Sequence, residues 1–208
     1  MKTDNLSRRT LLSLLAGLPL AVSLPAQAED PYMLGVEYKK VPKPQAKEKT
    51  VTEFFFYGCT HCWHLEPSIK AWLKLKPKDV TFERIPAVFD NPSWIFFARA
   101  FYTAQNLGIL EQSHLALFEA LHQDRLQLFT IKKLAAWYSQ FGVAPKEFEQ
   151  MFKSFKVDAQ VQEAARLTRN MGIDGVPAIV VNGTWLTDVA MATSRDNLWQ
   201  VVNWLLKK

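Results

Sequence analysis

The stretch EFFFYGCTHCWHLEP, residues 53–67, holds both cysteines of a 208-residue chain. With Val51 and Thr52 it begins as a β-rich run, VTEFFFY (51–57), apolar nearly throughout, as a buried central strand would be. Glu53 is the exception. Gly58 then breaks the run. A helix is expected to start at the cysteines and continue through CWHLEPSIKAWLKL (62–75), with a kink at Pro67 because proline lacks the backbone N–H. Cys59 thus falls at the N-cap or first turn of a helix, and Cys62 about one turn further on.

Two thiols at this spacing suit three chemistries. A metal site has Cys59, Cys62, His61 and His64 within six residues. Structural zinc, however, takes ligand pairs from separate segments to build a tetrahedron. The other histidines, His114 and His122, lie eight apart on one predicted helix and form no second pair. No metal is expected. A purely structural bridge across two residues closes a very small loop and removes little unfolded-chain entropy. Redox exchange fits best. Unpaired N–H groups and the positive end of the helix dipole favour a thiolate at Cys59. Cys59 is then the attacked sulfur and Cys62 the more buried resolving thiol, with His61 able to offer a hydrogen bond or positive charge. A stabilised thiolate favours the reduced form, so the disulfide readily oxidises other thiols.

The rest of the chain frames this unit. MKTDNLSRRTLLSLLAGLPLAVSLPAQA (1–28) has a basic start, an apolar run from Leu11 to Leu24 and small residues at its end: the layout of a signal peptide. Its apolar core is short for a span, and Arg8-Arg9 also resembles a twin-arginine signal. Without residues 1–28 the 25 basic and 20 acidic residues become 22 and 19, a net +3 that suggests no nucleic-acid footprint. The roughly 180 residues that remain, from a chain 49% hydrophobic, can bury a core without disulfide staples.

Residues 29–50 read as an arm with a short edge strand near Val36 to Val41, and 79–89 as a second strand. Five helical patterns follow from Asn91 to Asn170, the first with Asn91 as cap and Pro92 in its first turn. Strand signals return over VPAIVVNGTWLT (176–187), where Asn182-Gly183 reads as a hairpin turn. An amphipathic helix, SRDNLWQVVNWLLKK (194–208), closes the chain. The order β, α, β, helical block, β, β, α predicts an α/β domain at 29–90 and 171–208 with a helical insert at 91–170.

EFFFYGCTHCWHLEP after a strand, together with GVPAIVVNG at 175–183, resembles the DsbA-type thiol:disulfide interchange proteins of the bacterial periplasm. The resemblance implies a thioredoxin-like fold with an inserted helical domain. It implies that Cys59 is the nucleophile, Cys62 its buried partner and His61 a helper of the thiolate. Val176-Pro177 matches the family's cis-proline dipeptide, which offers backbone to a substrate peptide by strand addition. Glu53 matches a buried acid beneath the site, able to relay a proton to or from Cys62. Arg84 falls where the family often has lysine, as partner to that acid. Thr60 departs from the family's usual proline and leaves the potential open.

The expected activity is donation of the Cys59–Cys62 disulfide to reduced, unfolded exported polypeptides in the periplasm, through a mixed disulfide at Cys59. Phe56, Tyr57, Trp63 and Val176 are candidates for a groove around the site. A DsbB-type quinone-linked membrane protein is implied as reoxidant. No cofactor, no nucleic acid and a monomer are expected. A disulfide isomerase or reductase, and a non-catalytic peptide-binding chaperone, are the competing readings.

Overall fold

In the computed structural model, residues 30–208 are described; the expected signal peptide, 1–28, lies outside them. The sheet is built on β2 (Thr50–Phe55), whose six residues are all buried. Five strands lie in the order β1-β5-β4-β2-β3, with β2 parallel to β3 (Thr81–Pro86) and antiparallel to β4 (Ala178–Val181). β5 (Trp185–Thr187) pairs antiparallel with β4 and with β1 (Lys39–Lys40). The edge strand expected at 36–41 is thus only two residues long.

Period-two alternation decides what each face meets. Val51, Ile179 and Val181 pack with Ile69 and Trp72 of α1 (Thr60–Leu75) and with Val201 and Val202 of α7 (Arg195–Leu205). Phe54, Ala178 and Val180 pack on the opposite side with Met171, Ile173 and Leu186. Glu53 is two residues from both Val51 and Phe55, so it shares their face and lies beneath α1. Pro67 lies inside the helix, which continues past it to Leu75.

Between β3 and β4 the chain forms α2 (Pro92–Asn106), α3 (Leu110–His122), α4 (Ile131–Tyr138), α5 (Pro145–Phe152) and α6 (Phe155–Asn170). Caps mark the starts that the sequence signals. Asn91 accepts from the Ser93 N–H, with Pro92 as the first helical residue, and Ser194 accepts from Asn197 at the head of α7. Phe97, Phe101, Leu117, Phe118 and Phe148 join Phe55 and Tyr57 in one buried cluster, which roofs the far end of β2.

The Asn182-Gly183 turn has positive φ at both residues, 52° and 60°, and Thr184 N–H donates to Val181 O at 3.0 Å. The arm runs along this turn, with Val41 N–H on Thr184 O, Gln45 N–H on Gly183 O and Lys47 N–H on Asn182 O. A Cβ at Gly183 would lie 1.8 Å from Gln45 O. Gly183→Ala therefore has to displace the arm, and a loss of about 2 kcal/mol or more is expected from the clash together with the left-handed backbone. An unchanged urea midpoint would contradict this packing.

Candidate active site

Strand β2 ends at Phe55 and delivers the chain through Phe56, Tyr57 and Gly58 to Cys59. Cys59 is the N-cap of α1, extended at φ −94° and ψ 113°. Its N–H donates to Phe56 O at 2.9 Å and its carbonyl accepts from Trp63 N–H at 3.2 Å. A serine at an N-cap would turn its oxygen onto the helix N–H groups; the Cys59 sulfur makes no such cap bond and sits beside the unpaired N–H groups of the first turn. Both cysteines are free thiols, Cys59 half-buried and Cys62 fully buried.

The two sulfurs are driven apart in acidity. Cys59 is lowered to about 6 by a hydrogen bond from the Cys62 thiol, with backbone N–H groups of Cys62 and His61 and the His61 charge adding to it against the cost of burial. Cys62 is pushed far up by burial and by Cys59, with Glu53 adding to the effect. His61 is exposed, and its backbone N–H outranks its charge. The sulfur of Cys59 also reaches Val176 O at 3.4 Å.

Val176-Pro177 is a cis peptide bond, and it leads directly into β4. Both residues, with His61, Gly175, Asp188 and Arg195, line an open groove of about 510 Å³. Phe56 stacks on Trp94 at 4.0 Å, and Trp94 meets Phe89 edge-on at 4.6 Å. Tyr57 corrects an expectation. It is buried at 1% exposure, so it cannot line a groove; its ring fills the core, and its hydroxyl pairs with His114 Nδ1 at 2.8 Å.

Below the cysteines lies a charged network. Glu53 and Arg84 are register partners on β2 and β3, and Arg84 Nε donates to Glu53 Oε2 at 3.1 Å. The same guanidinium donates from Nη2 to Glu66 Oε2 at 2.9 Å. Glu66 Oε1 pairs with His114 Nε2 at 3.1 Å. Glu66 therefore has two donors. Glu53 has one, and its Oε1 finds no hydrogen-bond partner among the described residues. Burial and the Glu66 charge raise the Glu53 carboxyl, and Arg84 only partly opposes them. Against the cost of burial, His114 and Arg84 hold Glu66 below its ordinary value. Burial lowers His114. Glu53 is the carboxyl that keeps a proton.

Glu66, His114 and the Tyr57 hydroxyl escaped the sequence reading. A signal existed. Glu66 shares the buried stripe Cys62, Leu65, Ile69 and Trp72 on α1, and His114 shares the buried face of Leu117 and Phe118 on α3. A charged or polar residue on an apolar stripe needs a buried partner.

Comparison with known proteins agrees with this geometry. A family described as the DSBA-like thioredoxin domain matches residues 84–202. The "Thiol:disulfide interchange protein DsbA" of Burkholderia cepacia is 33% identical over 206 residues, covering 97% of each chain. The protein of the same name from Azotobacter vinelandii is 36% identical over 168 residues, 81% of this chain and 78% of its own. The crystal structure of Pseudomonas aeruginosa DsbA superposes with a TM-score of 0.78 at 32% identity, covering 85% of this chain and 93% of that one. Likeness of sequence over nearly the whole length and likeness of backbone converge: the chain belongs to the DsbA family and is a thiol:disulfide oxidoreductase of thioredoxin-like fold.

Proposed function

We propose that the chain donates a Cys59–Cys62 disulfide to reduced exported polypeptides in the periplasm. The observation that carries the direction is the split in acidity between the two sulfurs. A Cys59 thiolate stabilises the reduced state, so the oxidised state gives up its bridge readily. Each tenfold shift in that equilibrium is worth about 30 mV for a two-electron couple.

The steps balance as follows. A substrate thiolate attacks Cys59 Sγ and the Cys59–Cys62 bond breaks, with its electron pair leaving on Cys62. A buried Cys62 thiolate is strongly disfavoured, so this sulfur takes a proton, and Glu53 beneath it is the acid that supplies one. A second substrate thiolate attacks the substrate sulfur of the mixed disulfide and expels Cys59 as a thiolate. The substrate leaves oxidised by two electrons, and the CTHC pair holds them. The groove beside cis-Pro177, with the backbone of Val176 at its rim, accommodates the substrate strand.

A DsbB-type quinone-linked membrane protein then removes the two electrons. Residues 1–28 direct export, and the mature chain acts as a monomer. The helices α2–α6, lying between β3 and β4, form an inserted domain at 91–170 in a discontinuous 29–90 and 171–208 frame. Among the described residues no helix is long and apolar enough to cross a membrane.

Four outcomes are expected. Cys59→Ser abolishes disulfide transfer to a reduced model protein; undiminished activity would mean a binding module with idle thiols. The thiolate absorbance of the reduced protein titrates near 6, well below an ordinary cysteine. Because that folded value lies below the unfolded one, the stability it contributes to the reduced protein is fully present above the unfolded value, near 9, and is lost as pH falls through about 6. The stability gap between reduced and oxidised protein therefore widens from pH 6 toward 9, and a constant gap across that window would refute the electrostatic reading. Glu53→Gln slows mixed-disulfide formation by about a hundredfold, the lower end of what a positioned acid contributes; an unchanged stopped-flow rate would remove Glu53 from the reaction.

A further inference from the structure

His122, the last residue of α3, comes from the helical block and reaches the active-site turn. Its Nε2 lies 2.7 Å from Tyr57 O. Its Nδ1 lies 3.3 Å from Thr60 Oγ1. Trp63 stacks on the ring at 5.5 Å and 10°. One imidazole thus grips the residue two before Cys59, the residue after it, and the residue four beyond it.

The hydrogen positions follow from the partners. A carbonyl only accepts, so Nε2 carries the hydrogen that goes to Tyr57. In the neutral ring Nδ1 is then an acceptor, and the Thr60 hydroxyl donates to it. The Thr60 hydrogen is committed to His122 and is withheld from the neighbouring sulfur. A residue without a hydroxyl at 60 could not make this link.

We propose that His122 is a positioning residue for the redox couple: it clamps the Tyr57–Thr60 turn in the shape that aims donors at the Cys59 sulfur. The clamp matters because the turn contains Gly58, the residue type with most backbone freedom to lose. It matters also because the donors are directional. The Cys62 thiol and the backbone N–H groups of His61 and Cys62 must point at one atom, and such bonds weaken steeply as their angles open. His114, two turns earlier on α3, binds the Tyr57 hydroxyl and Glu66 in the core below.

This inference rests on the proposed redox role of Cys59, and the test separates the two. Wild type, His122→Gln, His122→Phe and Thr60→Val are compared by thiolate absorbance against pH and by equilibration with glutathione at mildly alkaline pH. Glutamine can donate to Tyr57 O and accept from Thr60, so it is expected to titrate within about twofold of wild type. Phenylalanine keeps the stack on Trp63 and loses both hydrogen bonds. The Cys59 ionisation constant and the equilibrium constant for reduction of the Cys59–Cys62 disulfide by glutathione are both expected to fall about tenfold, the latter equal to about 30 mV. Thr60→Val shifts both about threefold in the same direction. A merely structural histidine would lower the melting temperature and leave the titration where it was. A folded His122→Phe protein that titrates with wild type overturns the proposal. Should that variant not fold, an unshifted Thr60→Val does so in its place. An ordinary thiol titration in wild type would instead sink the functional reading itself.

Discussion

One guanidinium, that of Arg84, faces two buried carboxylates. It leans on Glu53 through Nε and on Glu66 through Nη2, at 3.1 Å and 2.9 Å. Charges taken out of water cost several kcal/mol each unless paired, and a single cation cannot satisfy two anions. The imbalance is resolved by a proton on Glu53 and by a second donor, His114, for Glu66. The pair also ties β2 and β3 to α1, since the partners come from all three elements. The reactive turn therefore stands on a base whose electrostatics require one carboxyl to stay protonated.

The same arrangement explains the unequal cysteines. Cys59 is at the helix end, where N–H groups are unpaired and solvent reaches part of the sulfur. Cys62 is on the buried stripe one turn on, above Glu53. Their places on the helix separate them, and the hydrogen bond between the two sulfurs and the nearby Glu53 widen the split. The helix end favours negative charge at the first position, and the apolar interior penalises it at the second.

Much of this could be read from the residues in order. Six buried positions in β2 follow from an apolar run, and Glu53 stood out because it broke that run. Asn91, Pro92 and the Asn182-Gly183 pair carried their local geometry in their own chemistry. The cis bond at Val176-Pro177 came from the family resemblance rather than from any local pattern. Tyr57 was misplaced because an aromatic residue at a strand end is equally suited to a groove and to a core; only the helices stacked on it decide. Glu66, His114 and His122 were passed over because each has meaning only through partners far along the chain. Thr60 and His122 are 62 residues apart, and nothing local to either one announces the other.

The outer margins of the sheet have a separate bearing on the proposed work among unfolded chains. Such chains seek open backbone to pair with, and a long bare margin would let them nucleate aggregates on the protein itself. On one side β1 offers two residues. On the other, β3 runs through Glu83 and Arg84 and ends at Pro86, with Lys47 crossing to Glu83 at 2.5 Å. Short length on one flank and charge with a terminal proline on the other leave clients little to add to, so engagement is steered away from the perimeter and toward the reactive turn.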